Sequence, residues 1–189
     1  MLPDSKIIKT YSKNSRDGQI MLLHAYKAHV QGVIACVVNN SQDVEELTQD
    51  TFLKVFSSFN KYNPRRGNLA AWIYRIAYNL AQNFVTRQQR FTVAMDDDDL
   101  ECINISDAEL DSELSNAKEQ QIQMLEQIID NLPREERVII TFYYYEDCPI
   151  GDIAQILNTT SNAIYLRLQR IRRKLCGMVA DYLSESSNL

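Results

Sequence analysis

Residues 149–175 read PIGDIAQILNTTSNAIYLRLQRIRRKL, and this stretch decides how the C-terminal part of the chain folds. Pro149 can open a short helix, because proline is tolerated at the first helical position. The polar residues 158–160 then supply a tight turn, with Thr160 as the predicted N-cap of a longer helix. A short helix, a tight turn and a second helix of matching apolar phase predict a helix-turn-helix, which places its second helix in the major groove of DNA.

The second helix, predicted over residues 161–175, has two chemically different faces. An apolar stripe follows helical spacing through Ile164, Leu168, Ile171 and Leu175. Arginine on the opposite face can donate two hydrogen bonds to guanine, glutamine can pair with adenine, and tyrosine or leucine can meet a thymine methyl. The side chains that point away from the stripe are the predicted base readers: Asn162, Tyr165, Leu166, Gln169, Arg170 and Arg173.

The flanks of this helix carry cations suited to phosphate contacts, namely Arg167, Arg172 and Lys174. Residues 161–175 contain five basic and no acidic side chains, although the net charge of the whole chain is −5. A solvated basic face on an ordinary core helix is the alternative interpretation. The short helix and the turn that precede it favour the DNA-binding interpretation.

The rest of the chain is predicted to be helical as well. With only 5 Gly and 4 Pro in 189 residues, apolar side chains recur every three or four positions, and the alternation typical of strands is missing. Three helices are predicted around residues 20–38, 44–59 and 69–90, with a capping signal for the second at Ser41 and Asp43. We therefore expect an all-α protein, and its first half can bury a core of its own.

An acidic segment separates the two halves. Residues 91–116 hold nine acidic side chains and no basic one, so the remainder of the chain is net positive. Repulsion among the four aspartates at 96–99 favours an extended linker. Helical patterning returns at residue 117, with one helix to Leu132, another from Pro133 to Tyr145, and then the helix-turn-helix. The predicted domains are residues 1–90 and 117–189, joined only by a linker at 91–116.

Several classes of function find no support in the sequence. His24 and His29 are the only histidines, and their spacing places them on different sides of a helix, without a nucleophile or carboxylate beside them. We expect no enzymatic activity, no small-molecule substrate, no metal and no other cofactor. The cysteines lie far apart and form no metal-binding pair, so reduced thiols are expected: Cys36, Cys102, Cys148 and Cys176.

Membrane insertion and secretion are also not indicated. The N-terminal residues 1–19 lack the apolar run of a signal peptide. No stretch approaches the roughly 18 apolar residues that a membrane span requires. We expect a cytoplasmic protein that is not inserted into a membrane.

Four stretches carry a family signature. They are DVEELTQDTFLKVF at residues 43–56, WIYRIAYNLAQNFVTRQQR at 72–90, LPREERVIITFYYYED at 132–147 and GDIAQILNTTSNAIYLRLQRIRRKL at 151–175. In this order and spacing the chain resembles the extracytoplasmic-function (ECF) group of bacterial RNA polymerase sigma factors. The resemblance implies a region 2 in residues 1–90, which binds core polymerase and melts the minus-10 element, and a region 4 in residues 117–189, which binds the minus-35 element.

The resemblance also assigns roles within region 2. The helix at residues 43–56 is expected to dock on the clamp helices of the largest polymerase subunit. The alternative is that its acids only solvate the helix and cap its N-terminal end. The implied polymerase contacts are Asp43, Glu46, Gln49 and Asp50. The loop at residues 62–68 is expected to capture a base flipped from the nontemplate strand. The implied minus-10 contacts are Lys61, Tyr62, Asn63, Arg65, Arg66, Asn68, Arg75, Tyr78, Asn79, Gln82, Asn83 and Arg87.

Other residues depart from the family pattern or suit a structural role better. Trp72 begins an amphipathic helix at the edge of its apolar arc, which favours a core or half-buried tryptophan over one stacked on a base. Asn158 stands where many members have glycine, and asparagine tolerates the left-handed conformation of a turn. Leu69, Tyr78 and Leu166 replace residues common in the family, so the promoter sequence does not follow from the resemblance.

The expected partners are core RNA polymerase, promoter DNA and an anti-sigma factor. Polymerase would contribute the clamp helices of its largest subunit and the subunit that holds region 4. The anti-sigma factor would clamp both domains and hide their DNA faces. The acidic linker could approach the path of nascent RNA or act only as a spacer. The alternative function is a non-sigma helix-turn-helix regulator, which would bind an operator as a dimer without polymerase.

Overall fold

The computed structural model describes residues 4–65, 67–92, 125, 127–129 and 131–186, and it contains helices and turns but no strand within these ranges. The all-α prediction is confirmed. The first half contains α1 (Asp4–Lys13), α2 (Ser15–Ala35), α3 (Ser41–Ser58), a 3₁₀ turn (Phe59–Lys61) and α4 (Leu69–Thr92). The second half contains α5 (Arg134–Ile140), a π-helical turn (Thr141–Tyr145), α6 (Ile150–Ile156) and α7 (Ser161–Ser186). The predicted linker lies, from residue 93 onward, outside the described residues.

Asparagine side chains cap α2 and α3. Oδ1 of Asn14 accepts from the amide of Arg16 at 3.0 Å, and Oδ1 of Asn40 accepts from the amide of Gln42 at 2.9 Å. The capping signal predicted at Ser41 and Asp43 is therefore wrong in position, because both residues already belong to α3. Asparagine is as effective an N-cap residue as serine or aspartate, and Asn40, one position upstream of Ser41, caps the helix instead.

Helix α1 has no counterpart among the predicted elements. It packs against α2 with Ile7 completely buried. The two helices approach so closely at Gly18 that a Cβ atom there would lie 2.4 Å from Cα of Tyr11. Glycine is thus required at this position by the backbone of the neighbouring helix.

The helix-turn-helix is present as predicted. α6 follows Pro149, and the turn after it contains Asn158 with φ of 51°, which is the left-handed conformation that asparagine tolerates. α7 continues beyond the predicted end at residue 175 and reaches Ser186. No helix among the described residues is both long and apolar enough to span a membrane.

The two halves share one continuous hydrophobic core. Helix α4 packs against α6, and the ring of Phe142 lies 6.1 Å from that of Tyr74 and 6.3 Å from that of Tyr78. The expectation that only the linker joins the domains is therefore wrong. Tyr74 of the first half and Phe142 of the second are both buried in this core, so packing adds to the covalent connection.

Candidate nucleic-acid interface

The N-terminal part of α7 presents the face that the sequence predicts. Oγ1 of Thr160 accepts from the amide of Ala163 at 3.2 Å, which confirms Thr160 as the cap. Ile164, Leu168 and Ile171 are buried against the rest of the second half. Every predicted base reader is exposed: Asn162, Tyr165, Leu166, Gln169, Arg170 and Arg173. The helical phase is thus confirmed, whereas contact with bases stays a prediction.

Tyr165 and Leu166 give this exposed face an apolar centre. They are 48 % and 43 % exposed and are adjacent on the same face of the helix. Nε2 of Gln169 donates to the hydroxyl of Tyr165 at 2.7 Å and holds both side chains one helical turn apart. Apolar and amide groups are therefore presented together, next to the cations, as contact with thymine methyls and adenine edges requires.

The predicted phosphate contacts on the flanks are held by neighbouring elements. Arg167 lies 3.8 Å from Glu135, and Nζ of Lys174 lies 2.9 Å from Glu136. Within the described part of the chain, Arg170 and Arg173 form no ion pair. These two ion pairs lie between α7 and α5, whereas Arg170 and Arg173 face outward.

Arg172 is engaged by aromatic side chains instead. Its Nε donates to the hydroxyl of Tyr144 at 2.8 Å, and its guanidinium carbon lies 5.3 Å from the ring centre of Tyr143 and 5.7 Å from that of Tyr144. The hydrogen bond to Tyr144 raises the pKa of Arg172. The sequence signal for this cluster is the run of three tyrosines at 143–145, which the prediction did not use.

A second set of predicted residues surrounds a cavity of about 300 Å³ beside α4. Tyr62 and Trp72 form aromatic walls with ring centres 5.4 Å apart. The hydroxyl of Tyr62 donates to the carbonyl of Gly67 at 3.2 Å and so closes the loop 62–68 on itself. The cavity is lined on this side by Lys61, Tyr62, Asn63, Gly67, Asn68, Ala71, Trp72 and Arg75.

Helix α6 closes the opposite side of the cavity. Nδ2 of Asn68 donates to Oδ2 of Asp152 at 2.7 Å, while its Oδ1 accepts from the amide of Ala71 at 2.6 Å. The guanidinium of Arg75 donates to the carbonyl of Gln155, also at 2.7 Å. Two predicted minus-10 contacts are therefore bound by the helix-turn-helix half of the same chain.

The remaining minus-10 candidates are distributed along the loop and α4. Asn79, Asn83 and Arg87 are exposed on α4, as is Arg65 in the loop, and Arg66 lies outside the described residues. Tyr78 and Gln82 are half-buried, and Nε2 of Gln82 donates to the hydroxyl of Tyr78 at 2.8 Å. Burial raises the pKa of Tyr78, so its hydroxyl stays protonated. Trp72 is half-buried in the cavity wall, as its position in the amphipathic pattern predicts.

The predicted polymerase-binding residues lie on α3. Glu46, Gln49 and Asp50 are exposed, and Asp43 is half-buried in the first turn. Leu53 belongs to the same stripe and is 64 % exposed, although the prediction did not include it. Its helical spacing from Glu46, Gln49 and Asp50 was the available signal.

Polar residues also connect the halves outside the cavity. Nδ1 of His29 lies 2.9 Å from Oε2 of Glu146, whose side chain is only 5 % exposed. Burial, and after it the interaction of the hydroxyl with this same carboxylate, raises the pKa of Tyr74. Sγ of Cys36 and Oγ1 of Thr141 are 3.1 Å apart. His29, predicted to be an ordinary helix residue, is thus a contact between the halves.

Comparison with known proteins identifies the family of this chain. Residues 22–91 match the family described as Sigma-70 region 2, and residues 122–175 match Sigma-70, region 4. Together these matches cover most of the chain. The chain belongs to the sigma-70 family of RNA polymerase sigma factors, and within that family to the ECF group. The predicted family resemblance is confirmed.

Individual relatives show how far the similarity extends. The chain is 26% identical over 185 residues to the ECF RNA polymerase sigma-E factor of Salmonella typhimurium, covering 94% of this chain and 95% of that protein. The fold is similar to that of the sigma factor RpoE in its complex with the anti-sigma factor NepR from Bartonella quintana, with a TM-score of 0.68, 20% identity, and coverage of 84% of this chain and 94% of that one. It is also similar to CnrH in complex with the cytosolic domain of CnrY, with a TM-score of 0.62, 15% identity, and coverage of 94% and 97%.

Proposed function

We propose that this sigma factor recognises the minus-35 element with α7 and captures an unstacked minus-10 base in the cavity beside α4, and that the described arrangement is its inactive state. The observation that carries this proposal is that α6 closes the cavity by binding Asn68 and Arg75. We assign residues 1–90 to region 2, 91–116 to the linker and 117–189 to region 4. The role is a non-enzymatic one, in which the chain supplies binding surfaces and polymerase supplies the chemistry.

Minus-35 recognition rests on the exposed face of α7. Arg170 and Arg173 are free to reach guanine edges, and Gln169 can pair with adenine once it leaves the hydroxyl of Tyr165. Arg167 and Lys174 sit beside Glu135 and Glu136, and phosphates compete with these carboxylates for the two cations. Exposed ion pairs of this kind contribute little to stability, so exchanging a carboxylate for a phosphate costs little.

Minus-10 capture rests on the chemistry of the cavity. A base removed from the duplex needs a stacking surface and a polar rim, and its strand needs cations. Tyr62 and Trp72 provide aromatic faces, Asn68 an amide and Arg75 a cation. In the described arrangement the amide and the guanidinium are occupied by α6, so a nucleotide gains full access only after region 4 moves away.

Polymerase binding rests on the exposed stripe of α3. Glu46, Gln49 and Asp50 supply acceptors around Leu53, whose exposed side chain can be buried at an interface. Polymerase and promoter DNA are cytoplasmic in bacteria, and we place the action of this chain there. An anti-sigma factor is proposed as a third partner, because the similar sigma factor RpoE is described in a complex with the anti-sigma factor NepR.

Transcription from a promoter library tests the proposal. Purified core polymerase is assayed with and without this chain, and the transcript starts are mapped by sequencing. Chain-dependent starts that share two elements are expected. A non-sigma regulator would instead bind an operator alone as a dimer and give no chain-dependent starts with core polymerase.

A further inference from the structure

We infer that helix α1 positions the aromatic walls of the cavity, with Tyr11 as the positioning residue. This inference rests on the proposed capture of a minus-10 base in that cavity. Tyr11 itself does not line the cavity. Its effect on a bound base is transmitted through Phe59.

Tyr11 makes a close ring stack with Phe59. The two ring centres are 3.8 Å apart and the rings are inclined by 19°. The hydroxyl of Tyr11 donates to the carbonyl of Phe56 at 3.3 Å, at the end of α3. One side chain from α1 therefore fixes both the last turn of α3 and the first residue of the 3₁₀ turn that follows it.

Phe59 in turn contacts both walls of the cavity. Its ring centre lies 6.1 Å from that of Tyr62 and 6.1 Å from that of Trp72. The interplanar angle to Trp72 is 82°, which is an edge-to-face contact. Aromatic pairs at these distances attract each other in defined geometries, so a shift of Phe59 displaces the rings that would stack on a base.

Helix α1 is itself fixed firmly enough to serve as a support. Ile7 is completely buried, and Tyr26 of α2 donates a hydrogen bond to Asp4. The close approach at Gly18 sets the distance between α1 and α2 at the level of Tyr11. The support of the cavity wall therefore extends from α2 through α1 and Phe59 to the rings of Tyr62 and Trp72.

The first experiment tests, without DNA, whether Tyr11 positions the ring of Trp72. Trp72 is the only tryptophan of the chain, so its emission and its quenching by acrylamide report directly on the cavity wall. Tyr11→Ala is expected to shift the emission and raise the quenching. Tyr11→Phe keeps the ring stack and is the matched control, expected to resemble wild type. Identical Trp72 signals in all three proteins would overturn the inference.

The second experiment measures base capture in the reconstituted holoenzyme. Forked promoter DNA carries either an intact nontemplate strand or an abasic site at each minus-10 position in turn. Tyr11→Ala is expected to weaken binding of the intact fork about three- to tenfold, from the strength of one aromatic pair, and to leave binding of the fork that lacks the captured base unchanged. Tyr11→Phe should restore binding.

The outcomes separate the inference from the proposed function. If wild-type holoenzyme does not distinguish intact from abasic DNA at any position, base capture itself is wrong. If wild type distinguishes them and Tyr11→Ala does so equally well, only the positioning role is wrong. Gly18→Ala provides a second route to the same displacement, because its Cβ forces α1 away from α2, and it should reproduce the selective loss.

Discussion

The hydrogen bond between Asn68 and Asp152 offers a direct way to open the cavity. Asp152→Ala removes the carboxylate that accepts from Asn68 at 2.7 Å. One hydrogen bond at an exposed site contributes about 1 kcal/mol, since water replaces the lost partner. The ratio of open to closed chain should therefore rise about fivefold. If the closed form predominates, the apparent affinity for a minus-10 single strand rises by the same factor, because only open chains bind.

The assay is fluorescence anisotropy of a labelled nontemplate oligonucleotide titrated with the free chain. Gln155→Ala on the same helix is the matched control, because Arg75 binds the backbone carbonyl of Gln155 and this variant retains it. Its affinity should equal that of wild type. The proposal requires region 4 to have moved away from the cavity in the holoenzyme, so Asp152→Ala should also equal wild type there.

Charge provides the competing explanation for such a gain. Removing Asp152 takes a negative charge away from a DNA-binding surface, which by itself strengthens DNA binding. Asp152→Asn also removes the charge but keeps an oxygen that can accept from Asn68. Equal gains in Asp152→Asn and Asp152→Ala would refute the reasoning, whereas a smaller gain in Asp152→Asn supports it.

Three further predictions concern other surfaces. Gln169→Ala and Arg170→Ala should each weaken minus-35 binding by about 1–3 kcal/mol and relax base choice in competition assays, whereas equal loss on every sequence would exclude base reading. Leu53→Ala should weaken core polymerase binding by about 1–2 kcal/mol in titrations, because the leucine side chain would be buried only in the complex. The melting temperature of the free chain should stay the same, since the side chain is exposed there. Burial raises the pKa of Cys148 to about 12, so at pH 8 a thiol reagent should label exposed Cys176 in the native chain and Cys148 only after unfolding.

Local pattern explains which parts of the structure could be predicted. The face of α7 follows from helical phase alone, because Ile164, Leu168 and Ile171 share one side and the polar residues the other. Its cap and turn follow from the chemistry of Thr160 and Asn158. Each of these features depends on residues within a few positions of one another.

Features that depend on distant residues were missed. Asn68 and Asp152 are 84 positions apart, and no periodicity relates them. Phe142 has the apolar character expected of a core residue, yet nothing in its neighbourhood shows that it packs on Tyr74. α1 escaped prediction because its polar sequence, DSKIIKTYSK, becomes helical by burying Ile7 against α2. Tertiary packing decides whether such segments become helical.

The carboxylate of Glu146 gives the contact between the halves an unusual character. It is almost completely enclosed, and among the described residues it lies against two polar groups from the opposite half, His29 and Tyr74. A purely apolar interface would strongly oppose separation of the two halves, because separation would expose apolar surface to water. Here hydration of the freed carboxylate, imidazole and hydroxyl offsets part of that cost. The contact between the halves can therefore be specific in its geometry and still dissociate and re-form many times without any covalent change.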